Sequence, residues 1–345
     1  MLHFQNDYSE GAHPRVLEAL KDGNLVATTG YGCDEHCKAA ADRLKEIFAC
    51  PGADVHFLVG GTQTNLTAAA AFLHPWEAMI SADTGHVCVH ETGAIEATGH
   101  KVCSLPAVNG KVTPEAVRKL VAAHRTGVEE HMVLPRLLYV SDSTELGTIY
   151  VKKELEALRK VCDELGLLLY LDGARMAAAL TAEGNDLKPE DFAQLCDAFY
   201  VGGTKNALLF GEALVIVNDD LKPFVRNIIK QRGGMLAKGW LLGVQFEALF
   251  RDNLWLETAE HANQQAQKLS KGLSDLGVEF YIDSPTNQIF PIFTDEQVEK
   301  LRKFVAFDFI AKVDESRSAV RFVTSWATPE ENVDFLLLAI QRVLK

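Results

Sequence analysis

The 345-residue sequence has no apolar run long enough to cross a bilayer. Its longest, Leu165–Leu171 and Ala207–Val217, fall short of the roughly 18–20 residues that a helical span needs. It has no CxxC pair: the cysteines at 33, 37, 50, 88, 103, 162 and 196 are odd in number and lie mostly in apolar or helical stretches. That usage speaks against a disulfide scaffold and fits the reduced, buried thiols of a cytoplasmic protein. Positive charge is scarce, with 34 Lys and Arg against 47 Asp and Glu, a net −13. A surface this acidic repels phosphate backbones and anionic lipid, so neither a nucleic-acid nor a membrane partner is expected. The start, MLHFQNDYSEG, lacks a basic segment followed by an apolar one, so no signal peptide is expected. Collagen periods, coiled-coil heptads, internal repeats and flexible linkers are also missing.

What remains is an ordinary globular composition, 48% hydrophobic and 23% charged, long enough for about two domains. Through residues 33–215, strand-like runs (Val55–Val59, Ala78–Ser81, Leu137–Val140, Leu167–Leu171, Ala198–Val201, Ala213–Val217) alternate with helical periodicity. The helical stretches are Lys38–Phe48, Thr64–Leu73, Pro114–His124, Lys153–Leu165 and Arg175–Glu183. Apolar strands between helices predict an α/β fold, a mostly parallel sheet sandwiched by helices. Right-handed crossovers then gather the strand C-terminal ends along one ligand-binding edge. After about residue 220, two helical stretches (Lys238–Phe250, Leu254–Leu276), alternating segments and a closing helix predict a smaller C-terminal α+β domain.

Two strand ends carry chemistry. The run Leu169-Tyr-Leu-Asp172-Gly-Ala-Arg175 ends a core strand on a carboxylate, with a cation one helical turn on. On its own the alternative for this pair is a local structural ion pair. Thirty-three residues later, Ala198-Phe-Tyr-Val-Gly-Gly-Thr204-Lys205 presents an amine after small residues, a spacing that fits one crossover helix. An Asp and a Lys on one edge are what pyridoxal 5′-phosphate (PLP) needs. Lys205 would form a Schiff base, and Asp172 would keep the pyridine nitrogen protonated so that the ring acts as an electron sink. Val59-Gly60-Gly61-Thr62, entering a helix, offers backbone N–H groups and a helix dipole to a phosphate. Asp83-Thr84-Gly85-His86 could lay an imidazole over the ring. No GxGxxG follows the first strand, which argues against a dinucleotide-binding reading.

Taken in order, FQNDYSEGAHP, VGGTQTN, the His86 segment ending HETGA, LDGAR and GGTKN resemble the low-specificity L-threonine aldolase and β-eliminating lyase family of PLP enzymes. The resemblance runs through nearly the whole chain. It implies the aspartate-aminotransferase fold (fold type I), with a seven-stranded-type sheet. It also implies an N-terminal segment (1–30) reaching into the active site, a large PLP-binding domain (31–245) and a small C-terminal domain (246–345). By the same resemblance Lys205 is the Schiff-base lysine, Asp172 the pyridine partner and His86 the stacked ring, while Gly61, Thr62 and Thr204 hold the phosphate. Arg175 and Arg321 would clamp the substrate carboxylate, Arg175 also lying at the cofactor, and Asn6 stands where the family has a carboxylate-binding serine. Tyr31-Gly32 matches a segment near the active site, and Lys230 and Arg232 one that a neighbouring subunit contributes. The implied assembly is a homodimer or homotetramer with active sites at the subunit interface, and no metal is called for.

One departure stands out. Where the family carries a second active-site histidine, this chain has Ser141-Asp-Ser-Thr-Glu145-Leu-Gly147. Glu145 could orient a hydroxyl, take a proton, or only cap a turn. The expected reaction is retro-aldol cleavage of threonine or allo-threonine to glycine and acetaldehyde, with His86, Glu145 or water as the base. β-Elimination from another small amino acid is the alternative, and a non-catalytic PLP-binding protein a remote one.

Overall fold

The computed structural model describes residues 1–345, apart from the side chain of Glu129. Strand β1 (Leu2–His3) is followed by β2 (Asp54–Leu58), β3 (Glu77–Ala82), β4 (Val102–Leu105), β5 (Leu134–Ser141), β6 (Leu168–Asp172), β7 (Ala198–Gly202) and β8 (Glu212–Ile216). Strands β2 to β8 form one seven-stranded sheet in the order β2-β8-β7-β6-β5-β3-β4. The β4-β3-β5-β6-β7 pairs are all parallel, whereas β8 is antiparallel to both of its neighbours, β7 and β2. This is the α/β, mostly parallel sheet that the alternation predicts. The β4 segment, Val-Cys-Ser-Leu, is too short to stand out by periodicity.

Both faces of the sheet are covered, as its continuous apolar strands require. On one face Leu138, Val140, Leu169, Leu171, Phe199 and Val201 join a buried cluster with the Glu35–Ile47 and Lys152–Leu165 helices. On the other, Leu137, Tyr139, Leu168, Tyr170 and Tyr200 pack with the Gly61–Phe72 helix. Local signals set the helix ends. Thr113 caps the Pro114–His124 helix through the Ala116 N–H, and Gly166 closes Lys152–Leu165 at φ 66°.

The C-terminal part holds β9 (Phe280–Ile282), β10 (Gln288–Thr294), β11 (Val305–Ala306), β12 (Asp308–Lys312) and β13 (Arg317–Val323). Four of these form an antiparallel sheet, β12-β13-β10-β9, whose core includes Phe293, Phe322, Leu273 and Leu336. Strand β1 pairs in parallel with β11, and Phe4 is buried in that same core. The N-terminus is thereby tied to the C-terminal sheet, and the residues just after Phe4 lead back toward the large sheet. The predicted Arg175–Glu183 helix is only Met176–Leu180, with Arg175 at its N-cap. Gly173 and Gly202 bring β6 and β7 so close that no side chain could replace either: a Cβ would lie 2.0 Å from Tyr200 O and 2.3 Å from Ala174 O.

Candidate active site

The C-terminal ends of β2, β3, β5, β6 and β7 open onto one cavity of about 550 Å3. Around it stand Gly61, Thr62, His86, Glu145, Asp172, Arg175, Thr204, Lys205 and Arg321. A second cavity, about 410 Å3, lies at the opposite edge beside Glu77, Leu134 and Leu168, where strands begin.

Asp172 ends β6 and is buried. Its Oδ2 accepts from Tyr139 Oη at 2.6 Å and Asn65 Nδ2 at 3.0 Å, and its Oδ1 from Ala174 N at 3.0 Å. Burial alone would raise its pKa; the neighbouring His86 and the Tyr139, Tyr200 and Asn65 hydrogen bonds outweigh it and hold the carboxyl below the usual range. The site therefore keeps an anion at the C-terminal end of β6.

Lys205 follows β7 and, among the described residues, its amine makes no hydrogen bond or ion pair. Burial and the Arg175 cation lower its pKa, opposed by Asp7, Asp172 and Glu212. A desolvated amine beside another cation is the setting that activates a lysine nucleophile. At the cavity the Gly61–Phe72 helix begins with no side-chain cap, and a Cβ on its N-cap residue, Gly60, would meet nothing within 4 Å. Thr204 Oγ1 accepts from Gly211 N at 3.0 Å, which fixes the hydroxyl at the cavity wall.

His86 opens the short helix His86–Val89 and is held twice. Its N–H donates to Glu145 Oε1 at 2.8 Å, and its Nδ1 lies 2.7 Å from Glu91 Oε1. Glu145 Oε1 also accepts from Ser141 Oγ at 2.7 Å, so this carboxylate ties the start of the His86 helix to its own segment. Burial pushes the Glu145 carboxyl up, and the Asp172 charge adds to that. Asn65 Nδ2 bridges Asp172 and Glu91 Oε1, the latter at 2.8 Å, linking the two anchors in one network.

The arginines are already engaged. Arg175 pairs with buried Asp7 through Nε at 2.7 Å and Nη2 at 3.1 Å, and it borders the cavity. Asp7 also accepts from Asn287 Nδ2 at 2.9 Å; burial raises its pKa, but Arg175 and Lys205 bring it below the ordinary value. Arg321 stands opposite Asp308 across the β12–β13 pair; its Nη2 donates to Asp308 Oδ2 at 2.6 Å and its Nη1 to Gln288 Oε1 at 3.1 Å.

Not every expected residue joins. Asn6 Oδ1 accepts from Tyr8 N at 3.0 Å and Ser9 Oγ at 2.9 Å, a local turn, and it is Tyr8 that reaches the cavity wall. Tyr31 and Gly32 line a separate cavity of about 260 Å3, and Lys230 Nζ sits 4.7 Å over the Tyr31 ring of the same chain. Residues that sequence reading passes over include Asp7, Asn65, Glu91, His90, Glu212 and Asp308. Glu91 is five residues after His86 and Asp7 is next to Asn6, so both lay inside motifs already singled out. Glu212 begins an antiparallel strand, and its start falls beside the C-terminal ends of β7 and β2, opposite Gly202 and Leu58. Burial pushes its carboxyl up to about 8.

Comparison with known proteins gives the family. The family model for beta-eliminating lyases matches residues 15–296. The chain belongs to the beta-eliminating lyase family. It is 31% identical to the low-specificity L-threonine aldolase of Pseudomonas sp. (strain NCIMB 10558), over 99% of this chain and 97% of that one. A solved structure of threonine aldolase from Leishmania major matches with a TM-score of 0.97 and 45% identity, covering 100% of both chains. Aspartate aminotransferase of Thermus thermophilus shares the fold, at a TM-score of 0.74 and 17% identity over 99% of this chain and 91% of that one.

Proposed function

We propose that this beta-eliminating lyase family member is a PLP-dependent aldehyde-lyase that cleaves threonine or allo-threonine to glycine and acetaldehyde. The observation that carries the reading is the unpaired, desolvated amine of Lys205 in one cavity with the ionised Asp172. The threonine aldolases at 31% and 45% identity over essentially the whole chain supply the reaction class. PLP suits the donors present. Lys205 would hold it covalently, Asp172 would face its ring nitrogen, His86 would cover its ring, and Gly61, Thr62 and Thr204 would receive its phosphate. When bound, the group supplies an electron-withdrawing ring that stabilises negative charge at the substrate Cα.

The chain's own residues do the rest. Arg175 and Arg321 orient the substrate carboxylate, which fixes the angle of the Cα–Cβ bond. Asp7 keeps Arg175 aimed, and Asp308 and Gln288 do the same for Arg321. The Lys205 amine, its pKa lowered by burial and Arg175, exchanges a proton at Cα. Among the described residues no helix is long and apolar enough to cross a membrane, and we place the protein in the cytoplasm, where its free cysteines stay reduced. A homodimer or homotetramer fits the bare apolar groups Leu25 (95% exposed) and Phe224 (78% exposed) together with Val26 and Tyr31; light scattering reads the mass.

The deciding experiment offers allo-threonine, threonine, serine and cysteine to the PLP-loaded protein and identifies the products. Glycine and acetaldehyde from either threonine are expected. Their absence, with pyruvate from serine or cysteine instead, would overturn the aldolase reading in favour of β-elimination.

A further inference from the structure

The geometry points to His90 as the catalytic base that takes the β-hydroxyl proton of the substrate. This inference rests on the aldolase reading above. Where the resemblance calls for a second histidine there is Glu145, whose Oε1 is already occupied by the His86 N–H and the Ser141 hydroxyl. His86 is likewise committed, its Nδ1 on Glu91. His90 is neither. It closes the helical turn that His86 opens, its N–H donating to His86 O at 2.9 Å. Four residues apart on that turn, the two rings share a face, with centroids 5.5 Å apart and planes at 53°. The His90 ring borders the same cavity as Lys205, Glu145 and Arg321, and among the described residues it makes no hydrogen bond or ion pair. The histidine that this chain lacks at one wall is thus present at another, on an element already fixed by two carboxylates.

Partial burial lowers the pKa of His90, and the charges of His86, Arg321 and Lys205 lower it further, with Asp308 acting in the opposite sense. The imidazole is therefore neutral near pH 7 and has a lone pair to offer. In the step, the substrate O–H bond breaks and its proton moves to the imidazole. The O–H electron pair becomes the second bond of the aldehyde C=O, and the Cα–Cβ pair stays with the glycyl half. That carbon is then protonated, and His90 returns its proton to solvent. No oxidant or reductant is needed.

The test uses PLP-loaded wild type, His90→Asn and His90→Phe, with two readouts. One is aldehyde release from allo-threonine and threonine across pH. The other is exchange of the glycine α-proton in D2O followed by NMR, which requires Lys205 but no hydroxyl chemistry. In both variants aldehyde release should fall about 10²–10⁴-fold, while glycine exchange persists within a few-fold. The acid limb of kcat/KM, where wild-type activity rises with pH as His90 loses its proton, should disappear. Wild-type aldehyde release and an unchanged pH profile in His90→Asn would overturn the assignment. So would a loss of release and exchange in equal proportion, the mark of a structural role. Wild type that exchanges glycine but releases no aldehyde would instead bring down the aldolase reading, and the role of His90 with it.

Discussion

The cavity has two halves, and they are held differently. Around Asp172 the polar groups are tied to one another: Tyr139, Asn65 and the Ala174 N–H converge on the carboxylate, and Asn65 and Glu91 extend the network to His86. Toward Arg321 the groups are looser. Among the described residues the Lys205 amine and the His90 imidazole make no hydrogen bond or ion pair, the buried Arg321 Nε is unsatisfied, and the one carboxylate that Arg321 pairs with is partly exposed. A cofactor that stays through every turnover is served by a rigid, pre-satisfied seat. A substrate that must enter, react and leave is served by donors held in place yet free to change partner.

Substitutions can break this contrast, and the largest effect belongs to the residue shared by both halves. Lys205→Ala should abolish the Schiff-base absorbance and turnover together; unchanged colour and activity would refute the assignment. Next comes Asp172→Asn, which keeps the hydrogen-bonding shape but removes the charge. Removing a preorganised electrostatic partner costs about 2.7–4 kcal/mol, so kcat should fall on the order of 10²–10³-fold while the protein stays folded by circular dichroism. On the looser side, Arg321→Ala removes a charge-assisted carboxylate contact, about 1.5–3 kcal/mol of substrate binding. Its signature is a raised KM with cofactor absorbance intact, and wild-type KM would rule out the clamp.

A smaller effect sharpens the comparison from the pH side. The folded-state pKa of Glu212, about 8, lies above its ordinary value, so the stability it contributes is full at low pH and is lost as pH rises through about 8. Asp142, pushed up to about 7 by burial, has the same sign. The melting temperature of the PLP-free protein should therefore fall from pH 5 to pH 8, and fall less in Glu212→Gln. Equal slopes in the two proteins would show that Glu212 does not titrate there.

The legible parts of fold and site follow from local rules. Asp172 and Lys205 announce themselves because each follows a buried apolar strand into small residues, and a parallel strand must deliver its last residue to the ligand edge. Glu212 escapes that logic because β8 runs backwards, so a first residue does what last residues do elsewhere in the sheet. Asp308 is hidden because β12 has little periodicity and only its register against β13 sets it opposite Arg321. Asp7 and Asn287 meet across 280 residues of chain, a distance over which no spacing rule operates. The tight turn at Asn6 is equally invisible; one residue of phase decides whether Asn6 or Asp7 faces inward.

The pairing of Leu2–His3 with Val305–Ala306 has a consequence for the order in which contacts can form. The stretch bearing Asp7 lies about three hundred residues before the strand that anchors it, so that one short ladder closes a very long loop. Arg175 therefore gains its permanent counter-ion only when that loop is closed, after the parallel strands between, which pair over far shorter separations, have had the chance to form.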